Sequence, residues 1–324
     1  MHLMTSVEDF EYYVLKHYMH KGVFARTKII KQLIEDLRNV ENKENYDSKP
    51  REGGLNDDEI ISAYQIAIIS HIMMFIEDVA AISKSISEGK VEYYSYLDKE
   101  DDEDLGKVIG LFYGSIIKAP DESFRAMLSY SDLKNFEFAN ESQKIIIENI
   151  IKKIIENVRK FFIKVALFRQ NHQKIFRRYK HAGFPILLTQ KIPDVMKEYV
   201  SYSFVAVGIT SRENIAEELV PIPYSKKAIQ SYEIITSEIL SFLGIISSFK
   251  TICIERKVSG IIPNIINTFG VKLTEEENQV LKQVWENFET KHPFDSKKST
   301  FGIATKSEIL KWYTEIDKSL VRTI

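Results

Sequence analysis

Two histidines and several guanidinium groups lie close together in the segment FRQNHQKIFRRYKHAGFPILL, residues 168–188. A guanidinium group can hold a phosphate through charge-assisted hydrogen bonds, and an imidazole with a pKa of about 6.5 can transfer a proton at neutral pH. The segment therefore predicts a site that handles a phosphate backbone. The candidates for direct chemistry are Arg169, His172, Arg177, Arg178 and His181.

The same region carries an excess of positive charge. Between Lys152 and His181 there are ten lysines and arginines and a single acid, Glu156, although the whole chain has a formal net charge of −2. A cationic helix can neutralise phosphates, and aromatic side chains can stack on bases. The alternative is that these cations only complement a helix dipole or lie solvated on a helix surface. The candidates for nucleic-acid binding are Lys164, Lys174, Lys180 and Tyr179, with Phe176 as a second aromatic residue for stacking.

One long helix is predicted to position these groups, from Asn140 to about His181, because apolar residues recur there in alternating steps of four and three. Asn140 and Gln143 match a capping box at its start, and Gly183 lies just past its end. Continuing the apolar steps places His172 on the packed side of the helix. The steps run through Ile147, Ile151, Ile154, Val158, Phe161, Val165 and Phe168.

A long helix that ends in RRYKH, residues 177–181, shortly before a glycine resembles a HEPN-type helical domain. Such domains occur in prokaryotic toxins and defence ribonucleases, and their active members place an Arg, a polar residue and a His on one helix. Four to six residues separate that Arg from the His in the family, whereas three lie between residues 177 and 181 here. The resemblance covers about residues 140–183, and it implies a helical bundle that dimerises and cleaves RNA without a metal ion. The roles it implies are general base for His181 or His172 and phosphate binding for Arg169, Arg177 or Arg178.

A second titratable pair lies on another predicted helix, residues 57–87. His71 and Asp78 are seven residues apart and therefore share one flank of that helix. An aspartate beside an imidazole can set its tautomer and basicity, so the two residues are candidates for supporting the site. The alternative is that both are hydrogen-bonded residues of a core or groove.

Motifs for metals and nucleotide cofactors do not occur in the sequence. It contains no HExxH, no GxxxxGK[ST] and no GxGxxG. Its single cysteine, Cys253, excludes an intrachain disulfide and a thiolate zinc site, and fits a cytoplasmic protein. We therefore expect no metal, no cofactor and a cytoplasmic location.

The fold class predicted is mainly α, an elongated bundle of long antiparallel helices, because glycine and proline number only 13 and 8 in 324 residues. A small β-hairpin is expected near 184–210, where residues 184–189 and 200–210 are rich in β-branched and aromatic types. Residues 60–82 have membrane-spanning length, but the acids among them favour a buried bundle helix, and no membrane partner is expected. The predicted helices are 7–20, 24–44, 57–87, 102–118, 121–133, 140–181, 225–257, 275–292 and 306–321.

Two domains are predicted. Residues 1–257 form the bundle, with the hairpin inserted at about 184–210, and residues 258–324 form a C-terminal helical extension packed on it.

The function predicted is that of a HEPN-like protein that binds RNA as its partner. The activity that the resemblance implies is RNA cleavage without a metal ion. One alternative is a non-catalytic scaffold that docks an acidic partner or nucleic acid through the basic helix, residues 152–181. The other is a sensor for a small apolar ligand, which would use Met73, Met74 and Phe75.

Overall fold

A computed structural model describes most of the chain between residues 22 and 291. The described residues are 22–47, 49, 54–87, 102–128, 136–181, 186–188, 202–209, 217–223, 226–256 and 270–291.

This part of the chain is mainly α-helical, as the sequence predicts, and each helix lies inside a predicted one. The predicted helices 7–20 and 306–321 lie outside the described residues. The observed helices are α1 (Phe24–Glu41), α2 (Asp57–Ser87), α3 (Asp102–Ile116), α4 (Asp121–Met127), α5 (Glu141–His181), α6 (Lys226–Arg256) and α7 (Glu275–Lys291).

Reciprocal caps fix where the main helices begin. The Asn140 side-chain oxygen accepts a hydrogen bond from the Gln143 backbone N–H at 2.9 Å, and the Gln143 side chain accepts one from the Ala139 N–H at 2.9 Å. These bonds satisfy donors that a helix start leaves unpaired. At α7, Thr274 and Glu277 form the same arrangement. A third pair, formed by Asn56 and Glu59 at 2.8 Å in both directions, caps α2.

Two central helices, α2 and α5, organise the packing. Helix α2 contacts α1, α3, α4, α5 and α6, and α5 contacts α2, α3, α4, α6 and α7. Phe162 of α5 is fully buried. Its ring lies 5.2–6.4 Å, centroid to centroid, from five other aromatic rings of the described residues, at distances typical of edge and tilted pairs. Among them are Phe112 at 5.9 Å, Phe124 at 6.2 Å and Phe242 at 5.2 Å.

Helix α2 is the one described helix that is long and apolar enough, by length and composition, to cross a membrane. The segment concerned is Asp57–Lys84, and 78% of its apolar window is buried inside the protein. Its apolar surface is therefore covered by the other helices, as expected for a core helix.

Three short strands follow α5: β1 (Ile186–Leu188), β2 (Tyr202–Ile209) and β3 (Glu217–Pro223). They pair antiparallel in the order β1-β2-β3, with Leu187 opposite Val205 and Val205 opposite Val220. β1 contacts α2, and β2 contacts α5. Strand β3 was not predicted. Residues 189–201 lie outside the described residues, so the hairpin as a unit remains a prediction, as does the division into two domains near residue 257.

Candidate functional site

Helix α5 runs without interruption from Glu141 to His181 and carries every candidate for direct chemistry. Its 41 residues span about 60 Å at 1.5 Å per residue. Side chains that are three or four positions apart share a face of a helix. Arg169 and His172 are three positions apart, but their side chains have different neighbours in the structure.

His172 turns into the protein interior. Its ring centroid lies 4.4 Å from that of Phe168, and the Phe168 ring contacts Tyr232 in α6 at 6.3 Å. The Nδ1 atom is buried and has no hydrogen-bond partner among the described residues. Burial lowers the pKa of His172 to about 4, because an imidazolium ion would lose its hydration there. The imidazole is therefore neutral at pH 7 and a weak base.

Arg169 instead reaches α3. Its guanidinium lies against Gly110, where a side-chain carbon would come within 3.6 Å of Nη2. Burial is the main cause that lowers the pKa of Arg169, and the nearby Arg177 adds to it, while Tyr113 and Glu77 act in the opposite direction. The structure thus brings Arg169 together with groups of α2 and α3.

The last turns of α5 differ in exposure from one residue to the next. Lys174 and Arg177 are exposed, whereas Tyr179 is half-buried and packs against the core. Phe176 is only 5% exposed, so it is not available to stack on a base. Lys180 Nζ lies 4.0 Å from Glu77 Oε2. The side chains of Arg178 and His181 fall outside the described residues, and their predicted roles stay predictions.

His71 and Asp78, the two residues predicted to support the site, have different neighbours in the structure. Asp78 is 7% exposed and accepts a hydrogen bond from Arg26 Nη1 at 2.6 Å, and the Arg26 guanidinium lies 5.2 Å from the centre of the Phe75 ring. His71 Nδ1 is buried without a hydrogen-bond partner. Burial, followed by the charge of Arg26, lowers the pKa of His71. Arg26, which the sequence did not single out, is therefore the partner of Asp78.

Among the described residues, four cations of α5 form ion pairs with acids of other helices, and each pair joins α5 to a different helix. Lys153 contacts Glu277 of α7 at 2.5 Å, Lys164 contacts Glu238 of α6 at 2.5 Å, and Lys180 contacts Glu77 of α2. Arg159 contacts Asp121 of α4 at 2.9 Å and also donates to the carbonyls of Ile117 and Ala119 at 3.0 and 2.8 Å. Much of the predicted positive face is thus engaged within the fold.

No group of three or more His, Cys, Asp or Glu side chains that could hold a metal ion occurs among the described residues. The exposed guanidinium and ammonium groups of α5 can bind anions.

Comparisons of the chain with protein-family models, with curated proteins and with solved structures give no match. The resemblance to HEPN-type domains therefore stands on the residues of α5 alone and remains a proposal.

Proposed function

We propose that this protein binds RNA through the exposed C-terminal part of α5, and that binding rather than cleavage is its function. One observation carries the proposal: Lys174 and Arg177 are exposed on the last turns of α5, where an anion can approach their cationic groups. Exposed guanidinium and ammonium groups can bind the phosphate groups along an RNA strand.

Helical spacing supports a continuous contact surface. Lys160, Lys164, Asn171 and Lys174 are exposed, and they follow one another in steps of three, four or seven along one side of α5. Lys164 is also paired with Glu238, so a phosphate would compete with that carboxylate for its ammonium group. From residue 160 to Arg177 the helix rises about 26 Å, which is long enough to contact several phosphates of one strand. Amide and cationic side chains in that stripe match a sugar–phosphate backbone.

Cleavage is less well supported because the buried imidazole is a poor base. A general base works best with a pKa near the working pH, and burial lowers the pKa of His172 to about 4. The Nδ1 atom of this ring is also buried beside Phe168, so a 2′-hydroxyl cannot reach that nitrogen.

The resemblance to HEPN-type domains favours RNA over an acidic protein as the partner. We further propose that the helices assemble as an elongated bundle, with the hairpin beside α5, and that the protein is cytoplasmic and forms homodimers. If the partner is instead an acidic protein, the binding test described next should detect binding of an acidic polymer and no binding of RNA.

Fluorescence anisotropy with labelled single-stranded RNA tests the proposal. We expect the doubly substituted K174Q/R177Q protein to bind about tenfold more weakly than the parent and the salt slope to fall by about 1.4, since each phosphate contact on a single strand contributes about 0.7. K152Q removes an exposed cation from the same helix and should bind as the parent does. Equal affinities for all three proteins would refute the surface, and binding of polyglutamate without RNA binding would indicate an acidic protein partner.

A second candidate function is metal-independent RNA cleavage at the last turn of α5. Residues 177 and 181 are four positions apart in a continuous helix, so Arg177 and His181 share one face. Labelled RNA incubated in EDTA should then be cut by the parent protein, and Arg177→Ala and His181→Ala should abolish the cutting. Cleavage at the parental rate in both variants would exclude this candidate.

A further inference from the structure

Two large aliphatic side chains are exposed where α5 and α6 pack against each other. Leu167 of α5 is 53% exposed and Ile234 of α6 is 48% exposed, whereas the next residue of each helix, Phe168 and Ile235, is buried. The two aliphatic side chains therefore lie on the outer side of this helix pair, where a ligand can reach them.

Three contacts between α5 and α6 define how the two helices align. They join Phe161 with Phe242 at 4.7 Å between ring centroids, Lys164 with Glu238 at 2.5 Å, and Phe168 with Tyr232 at 6.3 Å between ring centroids. Residue numbers rise along α5 as they fall along α6, so the helices are antiparallel. Leu167 and Ile234 both lie between the second contact and the third, which places them at the same level of the helix pair. We call these two residues the aliphatic patch.

The aliphatic patch interrupts a row of cations. Lys160 and Lys164 precede Leu167 on the same side of α5, and Lys174 follows it. From residue 164 to residue 174 the helix rises about 15 Å, so a strand whose phosphates contact both lysines passes over Leu167. A ligand that fits here has negative charges at intervals and an apolar group between them.

Two acids of α6 lie close to Ile234 in sequence, and each is paired with a cation. Glu233 contacts Arg38 of α1 at 2.8 Å, and Glu238 contacts Lys164 at 2.5 Å. Neither acid therefore adds an uncompensated negative charge beside the aliphatic patch, and a polyanion can approach it.

An unpaired base is the apolar group that a single RNA strand presents between its phosphates. Its flat face can pack on apolar side chains of a protein. In a duplex, the faces of the bases are stacked on one another inside the helix, so they cannot contact a protein surface. The row of cations and the aliphatic patch together match a single strand better than a duplex.

We infer that the aliphatic patch is a base-binding subsite, in which an unpaired base packs on Leu167 and Ile234 while the flanking phosphates contact Lys164 and Lys174. The protein then binds single-stranded RNA more tightly than double-stranded RNA. This inference rests on the proposed function, and it adds which form of RNA is bound and where a base lies.

Fluorescence anisotropy with a labelled single strand, and with the duplex of the same sequence, tests the subsite. We expect Leu167→Gln to bind the single strand about fivefold more weakly than the parent, because a polar side chain replaces the apolar surface under the base. Its salt slope should equal the parental one, since no cation is removed. Its affinity for the duplex, and for a strand of the same length without bases, should be unchanged.

Ile145→Gln is the matched control, because Ile145 is also 53% exposed on α5 but lies about 22 Å along the helix from Lys160. It should bind the single strand as the parent does. Ile234→Gln, on the neighbouring helix, should weaken binding of the single strand about threefold, again without a change in salt slope. All three replaced side chains are exposed, so the circular dichroism spectra of the variants should match that of the parent.

Equal affinities of Leu167→Gln and the parent for the single strand overturn the subsite, as does an equal loss of affinity in Ile145→Gln. If K174Q/R177Q still binds RNA more weakly than the parent, the proposed function then stands without the subsite. Absence of RNA binding by the parent refutes the proposed function and the subsite together. Sedimentation velocity without RNA tests another occupant: a dimer that Leu167→Gln dissociates, at unchanged RNA affinity, assigns the aliphatic patch to contact between copies and overturns the inference.

Discussion

The two halves of α5 use the same residue types in different ways. In residues 141–164, Lys153, Arg159 and Lys164 each meet a carboxylate of another helix at 2.5–2.9 Å. In residues 165–181, the corresponding pair between Lys180 and Glu77 is at 4.0 Å, and Arg177 is exposed. The comparison shows that composition alone does not reveal the role of a basic helix. That role depends on where acids of other helices lie.

The interiors of the two halves differ as well. Residues 141–164 pack apolar and aromatic side chains, with Phe162 fully buried among other rings. Residues 165–181 place a polar ring, His172, beside Phe168 with an unpaired buried nitrogen. A buried polar atom without a partner costs free energy, so we expect the second half to be the less stable one. Four changes test this comparison.

The largest effect is expected from Phe162→Ala. Removal of a fully buried ring leaves a cavity among Phe112, Phe124 and Phe242, and should reduce the free energy of unfolding by about 3–5 kcal/mol. Urea unfolding followed by circular dichroism measures it. Leu167→Ala removes a side chain that is 53% exposed on the same helix and should change stability by less than about 0.5 kcal/mol. Similar losses in both variants would contradict the placement of the core.

The next effect is expected from Arg159→Met. The variant removes the donors for the Ile117 and Ala119 carbonyls and the partner of Asp121, where α3 ends and α4 begins. Hydrogen bonds to a charged group contribute more than neutral ones, so we expect a loss of about 2–3 kcal/mol in urea unfolding. RNA affinity should not change. Lys152→Met, which removes an exposed cation, is the control and should leave stability unchanged.

Much of the fold could be predicted because helical periodicity and capping act within a short stretch of chain. The steps from Ile147 to Phe168 predict a packed face, and these residues are buried. The same phase carries the His172 ring inward. The capping boxes at Asn140 and Thr274 are also local patterns, and both form.

The partners of charged side chains could not be predicted, because they depend on how distant segments meet. Arg26 and Asp78 are 52 residues apart in sequence, and Arg159 reaches a turn about 40 residues earlier. Nothing in the sequence near Arg169 indicates that its guanidinium lies against Gly110. Strand β3 escaped prediction for a local reason, since its two prolines disfavour a strand assignment.

A decrease in pH should have an intermediate effect on the free energy of unfolding. The pKa of His172 is about 4 in the folded protein and about 6.5 in an unfolded chain, so the unfolded chain binds the proton more tightly. Stability should therefore fall as pH falls from 6.5 toward 4, and the loss between pH 7.5 and pH 5 should be about 2 kcal/mol. His172→Met should lack that part of the loss when both proteins are unfolded in urea at the two pH values.

The lowered pKa of His71 acts in the same direction, so the quantity to compare is the difference between parent and variant, in which the contribution of His71 cancels. An identical pH dependence in the two proteins would show that the His172 ring is not desolvated, and would remove the distinction between the interiors of the two halves.

The smallest effect distinguishes the two halves most directly. Lys164 is 57% exposed and one oxygen of Glu238 is buried without a partner, so a double-mutant cycle with methionine at both positions should give a coupling free energy of about 0.5 kcal/mol. The same cycle for Lys180 and Glu77, which are 4.0 Å apart, should give a coupling free energy near zero. High salt should reduce the first coupling because the pair is open to solvent. A coupling in the second pair as large as in the first would mean that Lys180 serves to join α2 and α5, and that both halves of the helix use their cations alike.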